Sequence, residues 1–575
     1  MQNAPSSVGE KIPCGIETAR ARKCRVAPAL IVGLYPVAKM STITEAVVSK
    51  VPQKISTRAA GVVGLAVMCS RLLGLVREQI LNALFVSGTL SLFYTAFRMP
   101  NLLRDLFAEG ALSTAFITTF SKKIATEGDG AAWKLANKIG TMTLVCMSVI
   151  SVLGIIFSGP LVRIAAGGFQ GEDALLTARL TAVMFPFILL VSLAAQVMGM
   201  LNAKNVFGWP AMASSFFNIG SILGGIALAW RIDPHFGPGA LMGLAIGTLI
   251  GGLLQLVVQL PVLWGIGYRP KLDFGWRDEG VRTVLRLMAP AVIAASAVQV
   301  NVMVNTSFAT HCERGAVTWL SNAFRLMQLP LGLFGVAIGT VVLPLISRSA
   351  AAGNMRDFRS TLAHGMRLAF LLTIPSTVGL IFLARPIVSL LFEHHASTAN
   401  DTSQAAAALQ FYALGLAAYS GIKVLAPAFY AIDKRKTPMM VSFASIGLNL
   451  LLNWLFTFRM CLGHKGLALS TGFVALFNFS ALYLLMWRET GVLESGLMAK
   501  TLGKLAVAGA LLGLVCWAGE HWLLADWARL GFPLQCAYLF AVIAVGGAVF
   551  FATALVLQIE ELDDLKALVK KKLRR

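Results

Sequence analysis

Apolar runs of 18 or more residues recur along nearly the whole of this chain, and no other property limits its fold as strongly. A helix of about 20 residues crosses a hydrocarbon core of roughly 30 Å with its backbone hydrogen bonds satisfied internally. Composition agrees. Of 575 residues, 57% are hydrophobic and 13% charged, with a mean hydropathy of +0.73, whereas a soluble domain carries about a quarter charged residues. The expected fold is an all-α polytopic membrane protein of about 14 transmembrane helices between residues 60 and 557. The expected spans include 60–86, 90–120, 135–160, 284–310, 315–347 and 362–392.

A net charge of +22 could suggest a nucleic-acid partner, but its distribution is that of a membrane protein. Lys and Arg crowd into alternate loops, among them Lys122, Lys123, Arg269, Lys271, Arg277, Arg348, Arg356, Arg359 and Lys434 to Lys436. The other set of loops holds six: Arg163, Arg231, Arg314, Arg459, Lys465 and Arg529. The positive-inside rule then puts both termini in the cytoplasm, with an even number of spans. Residues 1–57 are basic and broken by Pro28 and Pro36, and read as a disordered cytoplasmic extension. Residues 559–575 read as a cytoplasmic basic tail suited to anionic headgroups.

An internal repeat organises the spans. Ala96-Phe97-Arg98 and Ala323-Phe324-Arg325 lie 227 residues apart, and Leu106-Phe107 matches Leu333-Phe334 at that offset. Pro210-Ala211-Met212 and Pro438-Met439-Met440 follow at almost the same spacing, as do Gly243 to Thr248 and Gly466 to Thr471. The interval covers six spans, so both copies share one orientation, a parallel repeat with its site expected between the halves. The expected divisions are an N-lobe at 58–270, a C-lobe at 271–490 and two added helices at 491–558.

Charge inside the spans points to the cargo. Embedded ionisable groups are costly and normally face protein or water-filled space. The embedded cations are Arg71, Arg77, Arg98, Arg104, Arg179, Arg325, Arg385 and Lys423. Arg98, Asn101, Asp105 and Glu109 fall on one helical stripe, with Arg104 turned about 100–120° from it. Pairing with Glu78, Asp105 or Glu109 would account for some of these arginines, yet four cations in the first two spans outnumber three acids. Gly74 and Pro100 are expected to bend their helices toward a common cavity. Guanidinium meets phosphate and carboxylate bidentately, so the cavity is expected to take an anion.

No enzyme is indicated. GxxxxGK[ST], HExxH and a strand-borne GxGxxG are absent. The eight cysteines show neither CxxC nor a Cys/His cluster, so no metal site and no resident cofactor are expected. Energy must then come from a gradient, with a monovalent cation or the membrane potential as the candidate coupling. Asn301, Asn305, Asn449 and Asn453 are weak candidates for a cation site, against the commoner role of packing hydrogen bonds between helices.

Ser70-Arg71-Leu-Leu-Gly74-Leu-Val-Arg77-Glu78, Phe97-Arg98-Met-Pro100-Asn101-Leu-Leu-Arg104 and Phe107-Ala-Glu109-Gly110-Ala111 together resemble the MurJ/MviN family. These are bacterial lipid II flippases of the multidrug/oligosaccharidyl-lipid/polysaccharide exporter superfamily. The resemblance continues through Phe185-Pro186, Arg325-Leu-Met, Gly335 to Thr340 and Lys423 to Pro427, covering about residues 60 to 490. It implies movement of the undecaprenyl-diphosphate-linked peptidoglycan precursor from the cytoplasmic to the periplasmic leaflet of the inner membrane by alternating access. By the same resemblance Arg71, Arg77, Arg104 and Arg325, with Arg98 beside them, would hold the diphosphate. Glu78, Asp105, Glu109 and Asn101 would be gating or ion-pair groups, and the last two spans a groove for the lipid tail. Implied partners are the lipid-linked precursor, membrane lipids and, as further candidates, cell-wall synthesis proteins, with no nucleic acid. Ser91, Phe324 and Gln328 stand where members often carry acids. A flippase for another polyprenyl-linked glycan, such as an O-antigen or capsule unit, would use the same arginines. A small-molecule antiporter fits less well with so few embedded acids, and a non-transporting scaffold with such short loops.

Overall fold

A computed structural model describes residues 57–563, with no strand among them. The basic extension at 1–57 and the tail beyond 563 lie outside the described residues, apart from Thr57, which begins the first helix. Fourteen long helical runs follow one another, consistent with the fourteen expected spans. They are α1 (Thr57–Leu84), α2 (87–127), α3 (Asp129–Ile156), α4 (Gly171–Ala203), α5 (Gly208–Ile232), α6 (Pro238–Gly265) and α7 (Glu279–Thr310). Then come α8 (Ala316–Ala351), α9 (Met355–Phe382), α10 (399–431), α11 (Lys436–Arg459), α12 (Gly463–Thr490), α13 (Ser495–Leu523) and α14 (Phe532–Val556). Ten are long and apolar enough to cross a membrane on those grounds alone, and α10 makes an eleventh if its two halves, bent by 43°, count as one span. The other three, α1, α2 and α7, carry much of the polar lining of the central cavities.

The ends follow local chemistry. Asp278 caps α7 by accepting from Gly280 N, and Asn354 caps α9 from Asp357 N. Thr398 and Asp401 form a reciprocal capping box at the start of α10. Gly128 takes φ +83° between α2 and α3, a value that favours glycine. The expected span 362–392 is shorter than foreseen: α9 stops at Phe382, and Ala384–Phe392 forms a separate short helix. Twenty-eight residues already reach about 42 Å, and Arg385-Pro386 interrupts the run, which leaves Arg385 beyond the end of α9 and exposed.

Helices α1–α6 and α7–α12 pack as two six-helix lobes, with α13 and α14 added to the second. Small residues set the closest approaches. A Cβ at Gly247 of α6 would lie 2.2 Å from the Gly225 Cα of α5, and one at Gly243 2.2 Å from Ala229 N. Gly513 of α13 faces Phe382 of α9, and Gly546 of α14 faces Leu512. Arg367, buried in α9, bonds Glu494 at 2.9 Å and also Glu561, seating the segment after α14 on the C-lobe.

The repeat is visible in the backbone. Helix α2 widens into a π segment at Arg104–Leu112, and α8 does so at Leu331–Val336. The starts are separated by the same 227 residues as Ser91 and Thr318, whose hydroxyls meet at 3.0 Å where α2 and α8 cross. Pro100 and Pro330 precede the two segments. Each proline removes a donor and crowds the preceding turn, and a π turn is one way a helix absorbs such a break, often at a functional site.

Candidate functional site: two arginine-lined cavities

Two cavities sit between the lobes. One, of about 630 Å³, is lined by Arg71, Arg325, Gln328, Lys423, Asn301 and Asn478 among others. The other, of about 500 Å³, is lined by Arg77, Arg98, Asn101, Arg104, Asp105 and Arg325 among others. Val302, Asn305, Phe324, Arg325, Gln328 and Thr471 border both and form the wall between them. All five arginines proposed from sequence as anion ligands therefore line one cavity or the other, and Arg325 faces both.

Arg104 joins the expected stripe at the second cavity. On the α-helix that runs to Leu103, Arg104 lies about 100–120° from Arg98, and the cavity is broad enough that Arg98, Asn101, Arg104 and Asp105 all line it. The π segment begins at Arg104 and holds more residues per turn, so it re-aims the side chains that follow. Arg104 pairs with Asp105 at 2.9 Å, and Gln299 of α7 donates to the other Asp105 oxygen at 3.2 Å. The Glu109 side chain lies outside the described residues. Helix α1 runs unbroken past Gly74, so Arg71 and Arg77 are divided between the two cavities rather than bent into one. Arg71 reaches to α8, where a Cβ on Gly332 would lie 2.3 Å from its Nη1. Arg179 lines neither cavity.

Glu78 is the fully buried acid behind the wall. One carboxylate oxygen accepts from Arg77 at 2.9 Å and forms an ion pair with Arg325 at 3.0 Å, and the other accepts from the Tyr94 hydroxyl. A buried carboxylate is tolerated only when paired and hydrogen-bonded, and here three donors from α1, α2 and α8 converge on it. Around both cavities six cations (Arg71, Arg77, Arg98, Arg104, Arg325 and Lys423) face two described carboxylates, Glu78 and Asp105. Arg71, Arg98 and Lys423 form no ion pair among the described residues. The excess positive charge suits a polyanion.

Residues 80–538 match the family model described as lipid II flippase MurJ. The chain belongs to the MurJ family. It is 34% identical to the lipid II flippase MurJ of Burkholderia cenocepacia over 496 residues, 83% of this chain and 94% of that one. It is 32% identical to the probable lipid II flippase MurJ of Vibrio cholerae, across 88% and 97% of the two chains. A solved lipid II flippase MurJ in an inward closed conformation superposes with a TM-score of 0.69 at 25% identity, covering 86% of this chain and 99% of that one. An inward-facing multidrug resistance MATE transporter of the MOP superfamily shares the fold, with a TM-score of 0.64 at 15% identity over 74% and 96%.

Within this MurJ-family chain, Ser91, Phe324 and Gln328 have neutral roles. Ser91 meets Thr318, whose hydroxyl donates to Ser87 O at 2.8 Å. Phe324 packs edge-on against Tyr412 with ring centroids 5.5 Å apart, and Gln328 sits in the wall between the cavities. Beside them Asn82 and Asn322 exchange amide hydrogen bonds at 2.8 and 3.4 Å across the lobe boundary. At the α1–α2 end the buried contacts between the lobes are thus neutral hydroxyl and amide bonds, with the exposed Arg314–Asp173 pair at 3.0 Å on the rim and Glu78 on the cavity side.

The four candidate cation ligands do not converge on a shared vacancy. Asn453 donates to Asn305 Oδ1 at 2.7 Å and to Asn449 Oδ1 at 3.0 Å, while Ser470 donates to Asn453 Oδ1. Asn305 donates onward to Thr471 at 3.3 Å, and Asn301 Oδ1 has no partner. Among the described residues no group of three His, Cys, Asp or Glu could hold a metal ion. Sequence reasoning missed Tyr94 and Gln299. A phenol or amide inside an apolar run is the available signal, because a buried polar group needs a partner.

Proposed function

We propose that this chain moves lipid II, the polyprenyl-diphosphate-linked peptidoglycan precursor, across the bacterial inner membrane by alternating access between its two lobes. The observation that carries the reading is Arg325, which faces both cavities while bonding Glu78 of the opposite lobe. A diphosphate entering either cavity competes with Glu78 for Arg77 and Arg325. Cargo occupancy thereby weakens a bond that holds the lobes together at the α1–α2 end. Arg71, Arg98, Arg104 and Lys423 supply further positive charge along the path, including charge for acidic parts of the peptide.

In this reading both termini are cytoplasmic, the α1–α2 end is periplasmic, and α13 and α14 border the path of the lipid tail. The charge distribution of the loops supports that orientation. The amide cluster around Asn453 carries no formal charge, which favours the membrane potential over a tightly bound cation as the driving force. Cell-wall synthesis proteins are the natural protein partners of this activity.

The test is complementation of a conditional lipid II flippase mutant. The wild-type chain restores growth, while Arg71→Ala and Arg325→Ala fail at normal protein levels. Growth supported by both folded variants would overturn the arginine reading. Failure of the wild-type chain to complement, despite correct membrane insertion, would overturn the choice of cargo in favour of another polyprenyl-linked glycan.

A further inference from the structure

A third cavity, of about 270 Å³, lies in the N-lobe and shares no residue with the two between the lobes. Its walls come from α3, α4 and α6, with Leu144, Leu193, Val197, Met200, Leu256 and Leu263 facing inward. From Asn137 to Leu144 it runs roughly 10 Å along α3. Its roof is the segment 266–278, which joins α6 to α7 and so links the two lobes covalently. That roof is fastened down. The Tyr268 hydroxyl donates to Asn137 Oδ1 at 2.7 Å, Lys271 N to the same oxygen at 3.1 Å, and Asp273 N to Thr141 at 2.9 Å. Lys138 bonds Asp278 at 2.7 Å.

Charge and exposure identify an occupant. The acids of the segment are engaged, Asp278 by Lys138 and Asp273 by Gly275 N. Lys271 lines the cavity, and neither it nor Arg277 forms an ion pair among the described residues. Leu272 and Phe274 stand 69% and 62% exposed beside these cations. Exposed apolar and aromatic groups interleaved with Lys and Arg at the end of a span are the signature of the bilayer interface. We propose that this cavity binds an anionic phospholipid, one acyl chain lying between α3, α4 and α6 and the headgroup phosphate meeting Lys271. A lipid wedged there fixes the linker against α3 and so sets where α7 begins.

The test is native mass spectrometry of the full chain in neutral detergent with added palmitoyl-oleoyl phosphatidylglycerol or phosphatidylcholine. Wild type should retain phosphatidylglycerol about fivefold better than phosphatidylcholine, the factor expected of one basic residue near an anionic headgroup. Leu144→Trp, which fills the cavity, and Lys271→Glu should each remove that preference. If Leu144→Trp does not fold, Lys271→Glu decides. Equal retention of the two lipids by wild type, or an unchanged preference in Lys271→Glu, overturns the proposal. Arg325→Ala, in the cargo cavity, should retain the lipid as wild type does. A parallel loss there would place the lipid in the cargo cavity and overturn the assignment as well.

Discussion

Changing Glu78 to Gln tests the central bond with almost no change of shape. The carboxylate is fully buried and receives Arg77, Arg325 and Tyr94. Hydrogen bonds to charged groups contribute about 1.5–3 kcal/mol each, so losing two charge-assisted bonds sets an upper bound of about 3–6 kcal/mol. Two features of the site reduce it. The Gln carbonyl still accepts one donor, and the Arg77 and Arg325 side chains are 19% and 36% exposed, so cavity water rehydrates part of each guanidinium. The expected loss is about 2–3 kcal/mol. Arg325→Gln should cost about 1–2 kcal/mol, because Glu78 keeps Arg77 and Tyr94.

The double variant separates a real bond from mere proximity. Removing one partner of a buried pair leaves the other uncompensated, whereas removing both does not. Glu78→Gln with Arg325→Gln should therefore cost less than the two single changes together by about 1–2 kcal/mol, the coupling expected of residues in contact. Denaturant unfolding of the purified protein in detergent, followed by tryptophan fluorescence, measures all three. Additivity within about 0.5 kcal/mol would show that the bond is not formed in the resting protein, and the proposed competition between cargo and Glu78 would lose its basis.

Gly332→Ala should leave stability within about 1 kcal/mol, because the clashing atom is the end of the flexible Arg71 side chain. It should still impair complementation by displacing that guanidinium, and growth indistinguishable from wild type would refute the placement of Arg71. Gly247→Leu meets backbone instead, with Gly225 Cα 2.2 Å from the added Cβ, and should cost about 3 kcal/mol or abolish accumulation; normal membrane levels would refute the close packing of α5 and α6. Glu313, in the loop between α7 and α8, is pushed up by burial, but the hydrogen bond to His464 at 3.0 Å and nearby Lys465 outweigh this and hold it below the ordinary value of 4.5. A depressed carboxyl stabilises above its unfolded value and loses that contribution as pH falls through its folded one. The melting-temperature gap between wild type and Glu313→Gln should thus close as pH falls through the folded value of the carboxyl, and a gap that persists in strong acid would refute the pairing.

The helices and their order were legible because apolar runs and loop charge act locally. The repeat was legible because Phe97-Arg98 and Phe324-Arg325 survive in both copies. Less local features were not. Nothing in the propensities of Arg104 to Leu112 announces a π segment, which depends on Pro100 and on neighbouring helices, so the register of the residues after Arg104 was not legible. The division into two cavities was hidden for a related reason. It is made by Phe324, Arg325 and Gln328 of one lobe standing between arginines of the other, and a one-dimensional pattern does not show which side chains oppose each other across a boundary. The four asparagines were visible as polar residues, but whether their amides point at one another or at an ion is decided only by side-chain orientation.

The neutral groups at the α1–α2 end bear on how such a boundary can open at all. A join built from several buried ion pairs would be held by bonds whose rupture leaves uncompensated charge, at about 3–5 kcal/mol for each pair broken. Ser91 with Thr318 and Asn82 with Asn322 are different. A neutral hydrogen bond contributes about 0.5–1.5 kcal/mol net, because water replaces it when the surface opens. The closed state then exceeds the open one by a few kcal/mol, within reach of one ligand's differential binding. The Arg314–Asp173 pair of the same end is exposed and contributes little, so the buried Glu78 contact is the strongest bond of the join and lies where an anion in the cavity can act on it. Substituting Ser91→Asp would move charge into the neutral join and should, on this reasoning, slow growth in the complementation assay, with Ser91→Ala close to wild type. The opposite order would mean that closure does not depend on the neutrality of these groups.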